Sequence, residues 1–494
     1  MGYLFGANAE SIQQYIFATN LLKEVVGASE AVKLFCSEKE LAERLDSLGI
    51  QLDDQAEINQ AAAGGIKIFF KDKESARKFC RDFIRDTRKH FPGLSFSVAG
   101  VEGEAVTGEL LGELSKKLQS AKVRPLPRIP VPMMVQTAPR TGEPAAGIKE
   151  NEFLDAPTLA KRELFQQSKE MEKAFESQLP FPQEIDKIAS ERGWIAIIHA
   201  DGNGLGQVIR EIGQEARSLK EFSVNLDNAT FAASRQAFEK SFLREENQKE
   251  VKFRPVIVGG DDITVICDAD RALDFAEQLC CEFEEQTLER TGKKLTLCAG
   301  IAFVKAHYPF WMGYQLAEEL CGAAKKVSKQ SEHREGGSPD GLPASSLCFH
   351  FVGSSYHRGW DDILVNELCS KDGISYFYGP YGVHADGKLP RVDSLRSLVK
   401  ALDGERSPKS KLRELLTRWN TDSSAETPLF MQRFAEIASG EQRQWMKDVA
   451  SLCPGFDFNN PAPDKKTPIY DLVMLTTHTR WGRTTSSDKE VQPC

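Results

Sequence analysis

Residues 256–266 read VIVGGDDITVI, and the fold is best inferred outward from this stretch. A β-branched run enters a Gly-Gly turn, and two carboxylates stand at the start of the next β-rich run. The glycines allow a tight turn and the close approach of a polyanion. Adjacent carboxylates beside an apolar strand repel each other and lose hydration, so Asp261 and Asp262 need a compensating cation. The alternative is a hairpin turn with two solvated aspartates.

A second apolar run, IAIIHAD at residues 195–201, ends in another carboxylate. If this strand lies beside the GGDD hairpin, Asp201, Asp261 and Asp262 converge at one end of a sheet. Ligands that offer only oxygen suit Mg²⁺ or Mn²⁺, which keep positions for water and phosphate oxygens. The three aspartates therefore predict a divalent metal site.

A glycine-rich turn follows Asp201 and opens a helical pattern. Its residues are Gly202, Asn203, Gly204, Leu205 and Gly206. Exposed N–H groups at the positive end of a helix dipole suit a triphosphate, although many such turns only cap a helix. Lys325 ends an amphipathic helical pattern and is predicted to reach a β- or γ-phosphate. The alternative for Lys325 is a solvated lysine at the end of a helix.

The chain contains an internal repeat that is clearer in pattern than in letters. In each copy an apolar run and a helical pattern precede a Gly-Gly pair, and a helical stretch and a β-rich run follow it. The matched positions are Asn8 with Asp201, Gly64-Gly65 with Gly259-Gly260, and Ile66-Lys67 with Asp261-Asp262. This order predicts an α+β protein with two modules, each with helices against a mostly antiparallel sheet. The first module lacks the paired carboxylates and is therefore degenerate.

The predicted domains are a degenerate first module at 1–122, a proline-rich connector with a helical segment at 123–190, a catalytic GGDD module at 191–356 and a helical C-terminal domain at 357–494. Helices are expected over 158–175 and near 392–402 and 411–419. The polar, glycine-bearing stretch at 331–346 is predicted to be mobile, and the last fifteen residues to be frayed.

Composition restricts the class of protein. With 63 Lys and Arg against 72 Asp and Glu in 494 residues, the net charge is −9, which argues against wrapping nucleic acid with the whole surface but allows a local basic face. No apolar run approaches the roughly 18 residues that span a bilayer, and no signal peptide opens the chain, so we expect a cytoplasmic protein. Eleven cysteines without a CxxC pair indicate reduced, mostly buried thiols, with neither a zinc ribbon nor a disulfide frame.

Three other features are weaker candidates. His199 lies on an apolar strand and is expected to be a packed core residue, and His307 with Tyr308 is a candidate lining of a base pocket. A basic cluster is a candidate contact for RNA or a partner subunit, with a solvated helix face as the default. Its members are Arg406, Lys409, Lys411, Arg413 and Arg418.

Asp201 with the GGDD stretch resembles the palm domains of class III nucleotide cyclases, GGDEF diguanylate cyclases and certain polymerases. The fuller resemblance is to the large subunit of type III CRISPR effector complexes, the cyclic-oligoadenylate synthase, and it covers nearly the whole chain. Its motifs here are IQQYIFATNLLKEVVGASE from residue 12, HADGNGLG from 199, VGGDDI from 258 and AAKK from 323. That family carries two tandem ferredoxin-like palm domains of the cyclase type, the first degenerate, and a helical C-terminal domain.

The resemblance implies a role for each matched residue. Asp201, Asp261 and Asp262 would be catalytic, and with Gly202 they would hold Mg²⁺ or Mn²⁺. The implied nucleotide-binding residues are Gly202, Asn203, Gly204, Leu205, Gly206, Gly259, Gly260 and Lys325. It further implies the synthesis of cyclic oligoadenylates from ATP in antiviral defence, from two ATP molecules facing each other across the palms. Other CRISPR effector subunits and a guide or target RNA would be its partners.

Three departures from the family affect this expectation. The palm pattern starts at Met1 with no HD nuclease before it, so we expect no DNA cleavage by this chain. The connector lacks the cysteines of the usual zinc module, and Asn203 stands where many relatives have a carboxylate. The first two departures are compatible with a trimmed or stand-alone relative of the family. The remaining hypotheses are a non-catalytic nucleotide-binding scaffold and a synthase of cyclic dinucleotides that uses another base.

Overall fold

The computed structural model describes the chain except for residues 1, 63, 123–133, 168–170, 172–173, 178, 213–215, 244–250, 331–340, 354–357, 371–372, 385–387, 405–406, 422–425, 457, 459–465 and 483–494. The chain forms two compact units. The first comprises residues 1–174 and 206–227, and the second comprises 175–205 and 228–494. The finer division into four domains stays a prediction.

The described strands and helices account for an α+β fold, as predicted. The strands are β1 (Gly2–Glu10), β2 (Ala56–Ala62), β3 (Gly65–Phe70), β4 (Ser95–Gly103), β5 (Ala145–Lys149), β6 (Glu152–Asp155), β7 (Trp194–Asn203), β8 (Phe253–Gly259), β9 (Asp262–Asp268), β10 (Thr296–Lys305), β11 (Ser346–Phe351) and β12 (Tyr381–Gly382). The helices are α1 (Ile12–Ile16), α2 (Leu22–Phe35), α3 (Glu38–Ser47), α4 (Lys73–His90), α5 (Gly108–Lys122), α6 (Ala156–Gln167), α7 (Leu205–Ile212), α8 (Ala216–Phe242), α9 (Ala272–Thr291), α10 (Phe310–Ser328), α11 (Trp360–Asn366), α12 (Val392–Ala401), α13 (Lys409–Thr421), α14 (Glu426–Ile437), α15 (Gly440–Leu452) and α16 (Ile469–His478).

The first unit contains an antiparallel sheet in the order β2-β3-β1-β4. Helix α4 begins at a side-chain cap, where the Asp72 carboxylate accepts a hydrogen bond from Ser75 N at 2.8 Å. One face of α4 is apolar, and its Phe79 and Phe83 rings lie 5.4 and 5.6 Å from the ring of Phe5 on β1. This aromatic contact fixes the helix against the sheet and leaves its polar face to solvent.

The second unit contains a six-stranded sheet in the order β12-β11-β10-β7-β9-β8. Its four strands β8-β9-β7-β10 repeat the order of the first sheet, and β11 adds in parallel to β10. Helix α10 packs so closely on this sheet that a Cβ at Gly300 of β10 would lie 2.0 Å from the Ala317 carbonyl oxygen and 2.3 Å from Cys321 N. The absence of a side chain at this position therefore sets the distance between α10 and the sheet.

The strand register corrects one detail of the predicted repeat. Asn8 pairs with Gly65 in the first sheet, as Asp201 pairs with Asp262 in the second. Gly64-Gly65, rather than Ile66-Lys67, therefore stand where the second sheet has Asp261-Asp262. The two Gly-Gly pairs match in residue type, but they do not occupy the same position in the strand pairing. In the second hairpin Gly259 pairs with Asp262, and the equivalent pair in the first hairpin is Ala62 with Gly65. Gly259 therefore corresponds to Ala62, and the Gly-Gly pair of the second hairpin comes two positions earlier in the strand pairing than Gly64-Gly65.

Several other expectations can be compared with the fold. Helices α12 and α13 confirm the two predicted C-terminal helices, and α6 covers part of the helix expected over 158–175. The start of the proline-rich connector, most of the 331–346 stretch and most of the last fifteen residues lie outside the described residues. No helix in the described part of the chain has the length and apolar character needed to cross a membrane. Nine cysteines of the described chain are free thiols, and seven of these are buried, in agreement with the prediction of reduced, mostly buried thiols.

A buried acid in the C-terminal region makes stability depend on pH. Asp471 of α16 accepts a hydrogen bond from the Tyr381 hydroxyl at 2.6 Å, and burial raises the pKa of its carboxyl to about 7. The native state therefore binds a proton that the unfolded chain releases near pH 4, and stability falls as the pH rises from about 4 to 7, by up to about 1.4 kcal/mol per pH unit. We expect Asp471→Asn to remove this part of the pH dependence.

The measurement is the urea midpoint of unfolding at pH 5, 6, 7 and 8 for the wild type and Asp471→Asn, with Asp448→Asn at an exposed position of α15 as the control. The urea midpoint of Asp471→Asn minus that of the wild type should increase from pH 5 to 8, because only the wild type loses stability as Asp471 ionises. The midpoint of the control should follow that of the wild type. A difference that does not change with pH would show that Asp471 does not titrate in this window.

Candidate active site

Strand pairing brings the three aspartates together at one end of the second sheet. In the antiparallel pair β7 and β9, Asp201 is the direct partner of Asp262, and Gly202 N donates a hydrogen bond to the carbonyl oxygen of Asp261 at 3.1 Å. Direct cross-strand partners hold their Cβ atoms about 4.5–5.5 Å apart. The predicted convergence of Asp201, Asp261 and Asp262 is thus confirmed as geometry, while their chemical roles stay a prediction.

The GGDD turn is held in a conformation that requires glycine. Because Gly259 pairs with Asp262, Gly260 and Asp261 form a two-residue hairpin turn, and Gly260 has φ +62°. This left-handed conformation carries no steric cost for glycine and explains the residue at this position. The hydroxyl of Thr230 on α8 donates a hydrogen bond to the carbonyl oxygen of Gly260 and ties the turn to that helix.

The carboxylates create an excess of negative charge at this turn. Burial, followed by the charges of Asp201, Asp261 and Glu318, raises the pKa of Asp262 to about 7. Burial, followed by the charge of Asp201 and a hydrogen bond with it, raises the pKa of Asp261 to about 6. The Asp262 side chain is 40% exposed, yet its Oδ1 is buried and accepts no hydrogen bond from any described residue. A cation bound here would relieve both the repulsion and the unsatisfied oxygen.

Lys325 contacts the aspartate side of the site directly. Its ammonium group forms an ion pair with Asp201 Oδ2 and donates a hydrogen bond to the Gly202 carbonyl oxygen at 2.9 Å, and its side chain is only 17% exposed. The lysine predicted to reach a phosphate therefore neutralises a predicted metal ligand in this structure. To bind a phosphate, Lys325 would have to leave these two oxygens or share its three N–H donors among all of them.

His199 is a neutral, buried neighbour of the aspartates. Its Nδ1 lies 3.2 Å from Thr264 Oγ1 and 3.4 Å from Asp262 Oδ1, and its ring contacts Tyr314 edge-on. Burial lowers the pKa of the imidazole to about 4, so His199 does not supply a positive charge at neutral pH. The expectation that His199 is a packed residue is confirmed.

The donor set can be tested for its fit to a divalent metal. Carboxylate and carbonyl oxygens at one strand end, with one buried oxygen lacking a hydrogen bond, have the chemistry that Mg²⁺ or Mn²⁺ requires. Within the described residues, however, no group of three or more His, Cys, Asp or Glu side chains is arranged to hold a metal ion. The residues fit the metal in type, and Lys325 occupies two of the oxygens that would bind it.

The glycine-rich turn forms a strand-to-helix connection as predicted, since β7 ends at Asn203 and α7 begins at Leu205. Gly204 has φ +82°, and Gly206 lies in the first turn of α7. The amide of Asn203 is buried and donates to Thr296 Oγ1 at 3.2 Å and Cys298 Sγ at 3.1 Å. Asn203 therefore holds β7 to β10, and its partner Cys298 lies directly opposite Asp201 in the strand pairing.

Two weaker candidates lie away from the aspartates. His307 and Tyr308 follow the end of β10 at which Lys305 pairs with Trp194, whereas Cys298, seven residues earlier, pairs with Asp201. At about 3.3 Å per residue this separates them from Asp201 by roughly 23 Å, so the base-pocket hypothesis was wrong. The described basic side chains of the C-terminal cluster have partners within the chain. These are Lys409 with Asp403, Lys411 and Arg418 with Glu414, and Arg413 with Thr477; Arg406 lies outside the described residues.

Sequence reasoning missed two residues at the site. Glu318 adds charge near Asp262 from the middle of α10, and Thr230 holds the turn from α8. Both helices are remote in sequence from GGDD, so no local motif marks them. For Glu318, its spacing of seven residues before Lys325 was an available signal, because two helical turns place both residues on the same face.

Comparison with known proteins relates the part of the chain that contains this site to a protein family. Residues 194–335 match the family model of the second palm domain of Cas10/Cmr2. The chain contains a Cas10-like second palm. Three solved structures resemble nearly the whole chain, each covering 96% of it. They are a Csm1–Csm4 cassette with pppApA, the same cassette with AMPPNP, and Csm1 of T. onnurineus, each with a TM-score of 0.52. Their sequence identities to this chain are 13%, 14% and 14%, and the matches cover 69%, 70% and 68% of their own chains. No curated protein matches. At these identities the similarity shows that the Cas10-like palm lies within a Csm1-like fold.

Proposed function

We propose that the chain is a metal-dependent nucleotidyltransferase that joins ATP molecules into cyclic or linear oligoadenylates in antiviral defence. The observation that carries this proposal is the pairing of Asp201 with Asp262 beside the Gly260 turn, which places three carboxylates within one Cas10-like palm. A purely structural turn does not require acids whose repulsion and burial raise two of their pKa values.

The proposed reaction releases one pyrophosphate for each phosphodiester bond that forms. The 3′-oxygen of one ATP bonds to the α-phosphorus of another, the bond from that phosphorus to the β-phosphate oxygen breaks, and pyrophosphate leaves with its charge while the 3′-hydroxyl proton is released. Mg²⁺ or Mn²⁺ bound by Asp201, Asp261 and Asp262 would neutralise the charge that develops on the phosphates. The Gly260 turn would allow the triphosphate to approach the backbone closely, and Lys325 would donate to its oxygens.

The solved relatives suggest the partner of this chain. Csm1 is found with Csm4 in structures that contain pppApA or AMPPNP. We propose by analogy that this chain acts as a subunit of a type III CRISPR effector complex and pairs with a Csm4-like protein, and that a guide or target RNA activates it.

A specific observation favours a second candidate function. Lys325 already forms an ion pair with Asp201 and donates a hydrogen bond to the Gly202 carbonyl oxygen, and no metal-binding cluster of three side chains is formed among the described residues. A non-catalytic scaffold that binds nucleotide at the palm would have this arrangement without needing a metal. A synthase of cyclic dinucleotides from another base has the same metal and phosphate chemistry, so only product analysis separates it from the first proposal.

The test is to incubate the purified chain with each of the four NTPs and Mg²⁺ or Mn²⁺, alone and with the Csm4-like subunit and target RNA, and to identify products by mass spectrometry. We expect oligoadenylates and pyrophosphate from ATP only. Products from another base would keep the chemistry and change the substrate. Binding of AMPPNP by calorimetry without product under every condition would establish the scaffold.

A further inference from the structure

Helix α4 of the first unit carries a concentration of positive charge. Its 18 residues contain seven Lys and Arg against three Asp and Glu, a net charge of +4 in a chain whose total is −9. All seven cationic side chains are exposed. In a chain that is acidic as a whole, this helix is a local excess of positive charge.

The packing of α4 determines where these charges lie. Ala76, Phe79, Phe83 and Thr87 form its buried face. On the exposed side Lys73, Arg77, Arg81 and Arg85 follow one another at intervals of four residues, which places them in a single row with a rise of about 6 Å between neighbours. Each member is offset by about 40° around the helix axis from the one before it, so the row winds gradually across the exposed side, and the aromatic contacts that hold the helix to the sheet keep its spacing regular.

The row borders a groove of about 820 Å³. Its lining residues are Leu48, Lys73, Glu74, Arg77, Lys78, Arg81, Asp82 and Arg85. Lys73 and Arg85 at its ends form ion pairs with Glu102 and Asp82. Arg77 and Arg81 at its centre form no hydrogen bond or ion pair with any residue that the structure describes.

We propose that this groove binds the phosphodiester backbone of a nucleic-acid strand. The neighbouring guanidinium groups of Arg77 and Arg81, whose N–H forks have no partner among the described residues, match a polymer whose negative charges repeat at short, regular intervals, and arginine is suited to bidentate phosphate contacts. An acidic protein is the less favoured occupant, because protein interfaces need buried apolar or aromatic anchors. Among the lining residues in the described part of the chain, Leu48 is the single apolar one.

The lining also predicts how selective the groove is. None of the lining residues that the structure describes is aromatic, so these residues offer bases no stacking surface, and stacking supplies much of the base contact in single-strand binding. Binding should therefore be independent of sequence and strongly weakened by salt. This surface lies wholly in the first unit, and the proposal does not depend on the proposed nucleotidyltransferase.

The test measures fluorescence anisotropy of labelled oligouridylate, and of oligo(dT) and oligoadenylate of equal length, with the full chain in the absence of ATP and divalent metal. We expect Arg77→Gln with Arg81→Gln to weaken binding of all three roughly tenfold and to reduce the slope of log affinity against log salt by about 1.4, the value for two lost phosphate contacts on a single strand.

The matched control is Arg88→Gln with Lys89→Gln, which removes the same charge from exposed positions of the same helix outside the groove. Smaller effects of the control support the groove; equal effects of both pairs would overturn it, since general charge alone would then explain binding. A labelled polyglutamate peptide tests the other occupant. If the wild type binds it as tightly as it binds oligouridylate, and the Arg77 and Arg81 changes abolish that binding, the groove is a site for an acidic protein.

Discussion

Changing Asp261 and Asp262 together to asparagine is expected to reduce oligoadenylate formation by at least roughly 1,000-fold, since the variant loses the charges that would hold the metal beside the reacting phosphates. The same variant should be at least as stable as the wild type at pH 8. Burial and mutual repulsion raise the pKa values of these carboxyls to about 6 and 7, so their ionised forms destabilise the fold and neutral amides of the same shape relieve that cost. Loss of turnover with retained or increased stability distinguishes a functional cluster from a structural one.

The matched control for this prediction is Asp268→Asn. Asp268 ends the same strand, and burial raises the pKa of its carboxyl to about 6, but it pairs with Ile195 at the opposite end of the sheet. Its substitution should leave product formation unchanged. Melting temperature and product yield are measured for both variants, and normal product formation by a folded double variant would disprove the role of the GGDD carboxylates.

Gly300→Ala is expected to destabilise the second unit by roughly 3 kcal/mol. The added Cβ would meet the Ala317 carbonyl oxygen at 2.0 Å and Cys321 N at 2.3 Å, and these are backbone atoms of α10 that cannot rotate away. Helix α10 must therefore move from the sheet, and with it Lys325, whose ion pair with Asp201 depends on that position. Thermal unfolding should show a lower melting temperature, by several degrees.

Gly322→Ala on α10 provides the comparison for this effect. Gly322 is exposed, and a Cβ there would contact nothing within 4 Å. Replacing a glycine inside a helix by alanine should stabilise the helix by up to about 1 kcal/mol. If Gly300→Ala melts at the wild-type temperature, the close approach of α10 and β10 does not limit stability.

Much of the second palm was predictable because its signals are local. The β-branched runs on both sides of GGDD and the run that ends at Asp201 are typical of buried strands, and the pairing of β8 with β9 follows from the hairpin. The position of Lys325 in a helix was predictable for the same reason. Its contact with Asp201 was not, because it depends on the packing of α10 against the sheet, and that distance is set by Gly300.

The residues that correspond in the two copies of the repeat were predicted two positions out of register, again because the sequence does not show the packing and pairing of distant segments. Letters matched Gly64-Gly65 to Gly259-Gly260, whereas hydrogen bonding matches Gly65 to Asp262. Which residue of a hairpin turn pairs with which strand position is decided by the ladder, and a short motif does not reveal it. The exposed row on α4 is likewise not evident from the net charge of the whole chain, because the acidic residues elsewhere outweigh it.

The repetition of one strand order in two sheets has a consequence for the history of the chain. A sequence that folds into the same arrangement twice is the expected product of duplication, and after duplication a single active copy is sufficient. At the positions of Asp261 and Asp262 the first sheet has Gly64 and Gly65, which satisfy the turn and carry no charge. At this turn the first sheet thus has to preserve shape alone, while the second must preserve shape and chemistry together.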